Sequence, residues 1–296
     1  MEVEMARIIG SNRSERIFGT NTNDSLLGLG GNDILTGSVG NDEMLGSDGF
    51  DSVDYSRMGR AMTLLPGGFV NKGGLGVDRL NSVEQVIGAA GFANTIDGIS
   101  GRNASFDVNL GENRLTVNNV PFLGTLTFSV VNFVNVRGTQ NSDRITGNNG
   151  TNFLDGQGGN DVLTGGGGSD RLVGGSGIDI LNGAGAGSRG FLEVDILTGG
   201  LGQDGFILGD RAGSYYRAGG VRDYALITDF TPGDLIQLGA GEVYQTRRDF
   251  AGFDVFVLRN GGADLIADVR TTTFVPLPNG PFRLASGQTF AGFFGA

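Results

Sequence analysis

The sequence predicts an all-β protein built around a parallel two-sheet β-solenoid. Three observations support this fold class: a strict nine-residue period, an apolar residue at the eighth position of each unit, and an abundance of glycine, with 56 Gly among 296 residues. Nine residues are too few for a helical repeat, and glycine costs about 1 kcal/mol per residue inside a helix. Because hydrophobic residues make up 39% of the chain, we expect a folded protein rather than a flexible glycine-rich linker.

Composition excludes several functional classes. The chain has no Cys and no His, which rules out disulfides, thiolate or imidazole zinc sites and His-dependent catalytic triads. The net charge of -11 argues against nucleic acid or an anionic membrane as partner. No apolar run approaches the roughly 18 residues of a membrane span, and residues 1–16 lack the basic start and apolar core of a cleaved secretory signal. We therefore expect either a cytosolic protein or export by another route.

The first block of repeats covers residues 10–54. A degenerate unit carries Glu15 at its sixth position, and regular units such as "GLGGNDILT" follow from Gly19. The sixth position of the regular units is acidic and the eighth is apolar. The acidic residues are Asp24, Asp33, Asp42 and Asp51, and the apolar residues are Leu26, Leu35, Met44 and Val53.

The second block covers residues 138–207 and includes "GQGGNDVLT" and "GGGGSDRLV". One unit, residues 183–198, contains a seven-residue insertion, and Asn152 replaces one aspartate. The acidic positions are Asp143, Asp161, Asp170, Asp179, Asp195 and Asp204, and the apolar series is Ile145, Leu154, Leu163, Leu172, Leu181, Leu197 and Phe206.

Each unit is predicted to form a six-residue glycine-rich turn followed by a three-residue strand. Two units then complete one coil, so that turns of units n and n+2 stack at the inter-strand spacing of about 4.8 Å. Two carboxylates about 5 Å apart repel by roughly 3 kcal/mol at an effective dielectric of about 20, and each ordered glycine adds about 0.5–1 kcal/mol. The repeats therefore require a cation between adjacent turns, and carboxylates with backbone carbonyls are ligands typical of Ca²⁺.

These units resemble the G-G-x-G-x-D-x-U-x nonapeptide of RTX (hemolysin-type calcium-binding) proteins, whose parallel β-roll binds Ca²⁺ between turns. The resemblance covers residues 19–54 and 138–207. It implies several ions, each held by position-six carboxylates from two same-edge turns and by main-chain carbonyls of glycine-rich positions. The implied carboxylate pairs are Asp24/Asp42, Asp33/Asp51, Asp143/Asp161, Asp161/Asp179, Asp170/Asp195 and Asp179/Asp204.

The glycines that the resemblance implies as carbonyl donors are Gly28, Gly30, Gly37, Gly46, Gly156, Gly158, Gly165, Gly167, Gly174, Gly175 and Gly177. Two pairs depart from the pattern, Glu15/Asp33 and Asn152/Asp170, and we expect them to be weaker or empty sites.

Residues 55–137 lack the strict period but contain alternating segments such as "NRLTVNNV" that predict strands. Two segments look like decayed nonapeptides, with Asn94 and Asn103 where aspartate would stand, and the lost charge predicts a metal-poor region. Either the solenoid continues here with longer coils that lack metal, or a separate β-domain is inserted.

Residues 208–296 predict a C-terminal β capping region, because an open solenoid end invites association. "DYALITDFTPGDLIQL" predicts two strands around a Pro-Gly turn, and "FDVFVLRN" with "ADLIADVR" predicts a hairpin. Asp229 and Asp234 either bind one more ion or serve turn and strand-end chemistry. The apolar tail "SGQTFAGFFGA" is either a secretion signal or a final buried strand.

The sequence predicts no enzyme, since it contains neither H-E-x-x-H nor a G-x-S-x-G elbow. A carboxylate-only hydrolase is left open. The resemblance implies a secreted bacterial protein, extracellular or on the cell surface, exported by type I secretion through an uncleaved C-terminal signal. The implied function is calcium-driven folding of the β-roll in a structural, surface or adhesive role. The alternative is a non-catalytic repeat module of an RTX toxin or hydrolase, and the sequence does not identify a protein or surface partner.

Overall fold

The computed structural model describes residues 5–185, 189–190, 192–216, 222–259, 262–271, 277 and 282–283. All regular secondary structure in these residues is β, as predicted. None of them belongs to a helix with the length and hydropathy needed to cross a bilayer. The chain divides into two compact units, Met1–Thr139 and Gln140–Ala296.

The first unit consists of two sheets. Their strand orders are β1-β3-β5-β9-β8-β7-β11-β15 and β2-β4-β6-β10-β14-β13-β12. The strands are β1 (Ala6–Ile9), β2 (Arg16–Phe18), β3 (Asp24–Gly30), β4 (Ile34–Thr36), β5 (Glu43–Asp48), β6 (Ser52–Asp54), β7 (Thr63–Leu65), β8 (Phe69–Asn71), β9 (Val77–Asn81), β10 (Gln85–Ile87), β11 (Asn94–Asp97), β12 (Ser105–Asn109), β13 (Arg114–Val120), β14 (Gly124–Val131) and β15 (Phe133–Arg137).

The strands of the first repeat block pair in parallel with the unit two places along the chain. Leu26 lies opposite Met44, and Leu35 lies opposite Val53. All four of these position-eight side chains are fully buried. The predicted two-sheet parallel solenoid is therefore confirmed, with the apolar residues stacked in its interior.

Residues 55–137 contribute strands to the same two sheets. β9 pairs in parallel with β5, and β10 pairs in parallel with both β6 and β14. Antiparallel pairs β7–β8, β8–β9, β12–β13 and β13–β14 are inserted between the parallel strands. The two decayed repeats differ in structure, because Asn94 is buried at the start of β11 whereas Asn103 is exposed in a turn.

The second unit has the sheet orders β17-β19-β21-β25-β29-β28-β27-β30 and β16-β18-β20-β22-β26, together with the small pair β23-β24. Its strands are β16 (Arg144–Thr146), β17 (Phe153–Gly158), β18 (Val162–Gly166), β19 (Arg171–Ser176), β20 (Ile180–Ala184), β21 (Val194–Leu201), β22 (Gly205–Ile207), β23 (Gly209–Asp210), β24 (Gly213–Ser214), β25 (Tyr224–Ile227), β26 (Leu235–Gln237), β27 (Val243–Arg248), β28 (Gly252–Arg259), β29 (Gly262–Arg270) and β30 (Phe282–Arg283).

The second block keeps its register through the inserted unit. Leu154 lies opposite Leu172, and Leu172 lies opposite Leu197 although the insertion separates them. On the other sheet Leu181 lies opposite Phe206. The whole apolar series of this block is fully buried, as predicted.

Several repeat strands are longer than the predicted three residues. β3 spans seven residues and β17 spans six, because each continues into the glycine-rich turn. There Gln157 still pairs with Gly175 of the turn above. Gly175 has a φ of +114°, and a Cβ at this position would collide with the Gln157 carbonyl oxygen. Glycine therefore allows the backbones of successive turns to pair by hydrogen bonds as strands do.

The C-terminal region extends both sheets before it changes to antiparallel pairing. β25 joins β21 and β26 joins β22 in parallel, so the two predicted strands around the Pro-Gly turn lie in different sheets. The predicted hairpin is confirmed as the antiparallel pair β28–β29. The tail, residues 286–296, lies outside the described residues.

Replacing Leu172 by Ala is expected to destabilise the calcium-loaded protein by about 2–5 kcal/mol, since the side chain is fully buried in a thin core. The matched control is Leu201→Ala, whose side chain is 77% exposed and should change stability by less than about 0.5 kcal/mol. Denaturant unfolding at saturating Ca²⁺ measures both, and similar losses would contradict the assigned inward face.

Candidate metal centres in the repeat turns

The position-six carboxylates form hydrogen-bonded ladders along the stacked turns. In each step, the backbone N–H of one aspartate donates to Oδ1 of the aspartate in the next same-edge turn. All six predicted pairs are brought together in this way. The N to Oδ1 distances are 3.0 Å for Asp24/Asp42, 2.7 Å for Asp33/Asp51, 2.8 Å for Asp143/Asp161, 2.8 Å for Asp161/Asp179, 2.8 Å for Asp170/Asp195 and 2.9 Å for Asp179/Asp204.

The second oxygen of many of these carboxylates is buried without any hydrogen-bond partner. This is the case for Oδ2 of Asp33, Asp51, Asp161, Asp170 and Asp179. An unpartnered buried acceptor costs about 1–3 kcal/mol, and more when it carries charge. The ladders therefore leave a repeated electrostatic deficit that the polypeptide does not satisfy.

Main-chain carbonyls face the same positions. A Cβ added to Gly156 would overlap Asp161 Oδ2 and lie 2.6 Å from the Gly174 carbonyl oxygen. The arrangement recurs one same-edge turn further on, where a Cβ at Gly174 would overlap Asp179 Oδ2 and lie 2.5 Å from the carbonyl oxygen of Gly199. Two acceptors thus converge on one small gap, which suits a hard cation with irregular oxygen coordination such as Ca²⁺.

The predicted glycines divide into two groups. Gly28, Gly46, Gly156, Gly165 and Gly174 each have a ladder carboxylate oxygen beside the Cα, and a Cβ at Gly37 would lie 3.2 Å from Asp42 Oδ2. The other glycines stack on the neighbouring turn: Gly30 beside Asn12, Gly158 beside Gln140, Gly167 bonded to the Asn148 carbonyl, Gly175 on Gln157, and Gly177 on Gly159. The carbonyls of Gly183 and Gly199 also face ladder carboxylates, although neither glycine was predicted as a carbonyl donor.

Family comparison agrees with this geometry. The family described as RTX calcium-binding nonapeptide repeat (4 copies) matches residues 9–53, 137–172 and 146–181. The chain contains RTX calcium-binding repeats. The residues that match carry the ladder carboxylates from Glu15 to Asp51 and from Asp143 to Asp179.

No curated protein matches the chain. Among solved structures, the chain is similar to the extracellular lipase LipA from Serratia marcescens, with 19% identity and a TM-score of 0.26. The match covers 90% of this chain and 38% of the lipase chain, so the chain spans well under half of that protein.

Burial changes the acidity of the RTX ladder carboxylates. Because they are removed from water, the pKa of Asp161 and of Asp170 rises from 3.8 to about 8. The same cause raises the pKa of Asp195 and of Asp204 to about 6. Without a cation, protons are the remaining way to neutralise these oxygens.

One of the two decayed repeats shows how a ladder step can form without a cation. Asn94 Oδ1 accepts the Met62 N–H at 3.1 Å, as Oδ1 of a ladder aspartate does. Its Nδ2 donates to the carbonyls of Ala89 at 2.8 Å and Asn132 at 2.6 Å. The amide group supplies donors where an aspartate presents a second acceptor, which gives a physical reason for a metal-free rung at this position.

Some predicted metal ligands have partners from the protein itself. Asp24 accepts hydrogen bonds from the Thr20 N–H and hydroxyl. Asp42 Oδ2 contacts Lys72 Nζ at 3.0 Å, and Asp195 Oδ2 accepts the Tyr216 hydroxyl. The pair Asp24/Asp42 therefore presents no unpartnered oxygen, unlike Asp33/Asp51 and Asp161/Asp179.

The ladders extend beyond the predicted acids. The Asp42 N–H donates to Asp78 Oδ1 at 3.0 Å, and the Asp51 N–H donates to Glu84 Oε2 at 2.7 Å. The Asp204 N–H donates to Asp234 Oδ1 at 2.9 Å. The nonapeptide period does not predict Asp78 and Glu84, because hairpins interrupt the 18-residue spacing. The acid-x-apolar signal survives in "DRL" and "EQV", where Leu80 and Val86 are buried.

Asp229 and Asp234 serve backbone and turn groups. Asp229 accepts the N–H groups of Gly199 and Gly200, and Asp234 Oδ2 accepts the backbone N–H and the hydroxyl of Thr231. A further acidic group in the described part of the chain consists of Asp249, Asp254 and Asp268, with oxygens within 4.8 Å of one another. Arg247 pairs with Asp254 and Arg270 pairs with Asp268, so two of its three carboxylates are paired with arginine, and Asp249 accepts the N–H groups of Ala251 and Gly252.

At about pH 8.5, where the Asp161 carboxyl with its raised pKa of about 8 is mostly ionised, replacing Asp161 by Asn is expected to stabilise the metal-free protein by about 1–3 kcal/mol, because the amide removes a buried unpartnered anion and supplies donors as Asn94 does. Calcium binding should fall, since Asp161 belongs to two of the implied pairs. Far-UV circular dichroism in calcium-free buffer at that pH, where the variant should retain more β-structure than the wild type, and equilibrium dialysis measure the two effects.

The control for this change is Asp107→Asn, at a carboxylate that is 37% exposed, lies outside the repeats and pairs with Arg114. This control variant should change neither the stability of the metal-free protein nor the amount of bound calcium. Asp143→Asn affects one pair, so an equal loss of bound calcium in the Asp143 and Asp161 variants would contradict the pairing of units n and n+2.

The metal-free protein is expected to lose stability as pH rises from about 4 to about 8. In this window the folded state holds protons on Asp161 and Asp170, whose folded pKa is about 8, while the unfolded carboxylates, with a pKa of 3.8, have released theirs. The slope is therefore negative, and stability is greatest at the acidic end. Saturating Ca²⁺ should reverse the trend, because protons compete with the metal. Far-UV circular dichroism at about pH 5 and about pH 8.5 tests this: without calcium the β-structure should be greater at pH 5, and equal β-structure at the two pH values would contradict it.

Proposed function

We propose that the chain is a secreted calcium-binding protein whose RTX blocks fold when Ca²⁺ binds between stacked turns. Its proposed role is structural, at a surface or in adhesion, and not catalytic. One observation carries the proposal: buried carboxylate oxygens without partners recur in register with main-chain carbonyls in both repeat blocks.

The energetics support a folding switch. Stacked unneutralised carboxylates repel by about 3 kcal/mol per step, and a domain has only about 5–15 kcal/mol of net stability. A few such steps consume much of that margin. Because the ladder geometry exists only in the folded state, the free energy of calcium binding adds directly to folding.

The proposed location follows from this dependence. Extracellular calcium modules bind with Kd of about 10⁻⁴–10⁻³ M, so the repeats would remain unfolded at cytosolic calcium levels and fold outside the cell. An unfolded chain suits passage through a type I secretion channel, and RTX proteins typically use that route.

The geometry also supports a role without catalysis. The ladder carboxylates are buried against backbone, with Asp161 and Asp179 fully inaccessible to solvent. A substrate cannot reach them without opening the coil. The sequence has no His or Cys to serve as an alternative nucleophile or base.

Titration of the calcium-free protein with Ca²⁺ is expected to increase β-structure in far-UV circular dichroism, with a midpoint of about 0.1–1 mM. Mg²⁺ should be much less effective, because it requires tighter octahedral geometry. Unchanged β-structure under EGTA would overturn the switch, and the absence of bound metal at millimolar Ca²⁺ would overturn the calcium function. Recovery of the protein from the growth medium or cell surface tests export.

A further inference from the structure

Lys72 is a fully buried lysine between strands β8 and β9. Its ammonium group contacts three oxygens: the Ser38 carbonyl at 2.7 Å, Asp42 Oδ2 at 3.0 Å and Asp78 Oδ1 at 2.5 Å. All three available protons of the ammonium thus have acceptors.

This set of oxygens matches the candidate calcium positions. Asp42 and Asp78 are carboxylates of successive same-edge turns, joined by the ladder hydrogen bond. Ser38 belongs to the glycine-rich turn that begins at Gly37 and leads to Asp42. Two carboxylates and a turn carbonyl surround the ammonium group, and a carboxylate oxygen and a turn carbonyl likewise lie together at the unfilled gaps elsewhere.

The electrostatic deficit of steps such as Asp33/Asp51 and Asp161/Asp179 is missing at this one. Neither carboxylate oxygen facing Lys72 is among the unpartnered ones, and the remaining oxygen of Asp78 accepts the Tyr55 hydroxyl at 2.8 Å. A metal ion in the same gap would be repelled by the ammonium group and would find its ligands already in use.

The choice of side chain agrees with this role. Lys72 is the only lysine among the 21 basic residues of the chain. An ammonium is a compact point charge with three donors, whereas the guanidinium of arginine is a wide planar fork. Only lysine approximates a spherical cation in size and in its freedom to bind oxygens from three directions.

We propose that Lys72 is a built-in cation that replaces calcium at the Asp42–Asp78 step. This step takes no metal, and the β5–β9 pairing with its adjoining turn forms without calcium. The inference deepens the proposed function and rests on it in one respect, namely that the neighbouring unneutralised steps bind Ca²⁺.

Hydrogen exchange in chelator provides the main test. Amides of residues 38–46 and 77–81 should exchange at least about tenfold more slowly than those of residues 156–181, whose steps lack a cation. Lys72→Met, which keeps most of the length of the side chain and removes its charge, should abolish this protection. The control Arg79→Met removes an equal charge from a side chain that is 60% exposed and 3.9 Å from Glu43, and protection should remain.

Calcium counting tests the equivalence of the two cations. Lys72→Ala removes the ammonium and leaves Asp42, Asp78 and the Ser38 carbonyl facing a gap, so this variant should bind one more calcium ion than the wild type in equilibrium dialysis. An unchanged number would overturn the replacement of calcium by Lys72.

A measurement on the wild-type protein avoids any variant that fails to fold. Because Lys72 carries the only side-chain amine, acylation by an amine-reactive reagent at this residue can be followed by mass spectrometry. In chelator the reaction should be at least about tenfold slower than in denaturant. Equal rates would overturn the inference.

The outcomes separate this inference from the proposed function. If calcium binds elsewhere but residues 38–46 exchange in chelator as fast as residues 156–181, the role of Lys72 fails and the calcium function stands. If Lys72 is protected but the wild type binds no calcium, the calcium function fails and the ammonium remains a structural cation.

Discussion

The structure depends on one unfavourable contact, a buried carboxylate oxygen that faces a backbone carbonyl oxygen with no donor between them. The contact arises because each aspartate uses one oxygen to bind the N–H of the turn below and turns the other toward glycine. Repetition of the nonapeptide repeats this contact along both edges of the roll. The polypeptide alone does not compensate these carboxylate oxygens, so the stability of the fold depends on the group that neutralises each of them.

The chain neutralises these gaps in chemically different ways. Lys72 supplies an ammonium, Asn94 supplies an amide, and Tyr216 supplies a hydroxyl to Asp195. Oδ2 of Asp161 and Oδ2 of Asp179 receive no hydrogen bond from the protein. The same backbone geometry therefore accommodates a proton donor, an organic cation or a metal, and the side chain at one position decides which.

The sequence predicted the repeat fold well because its signals are local. Apolar residues at the eighth position, from Leu26 to Phe206, define the core directly, and the period defines which aspartates meet. The prediction of the ladder residues was incomplete where strand pairing no longer follows the nine-residue period. Asp78 and Glu84 rejoin the ladders after inserted hairpins, and Lys72 reaches its carboxylates from a turn that no spacing rule connects to Asp42. Strands such as β3 and β17 exceed the predicted three residues, because glycine lets the turns pair and does not end the ladder.

The seven-residue insertion within residues 183–198 has a consequence for how such a chain can change. Leu172 still faces Leu197 across it, and the Asp170 N–H still donates to Asp195 at 2.8 Å. The strand register is thus set by the contacts between neighbouring coils and not by a constant number of residues between them. Added loop length costs little free energy. New sequence can enter at a turn without shifting any coil beyond it, which makes the roll edge a natural place for evolution or engineering to graft a recognition loop.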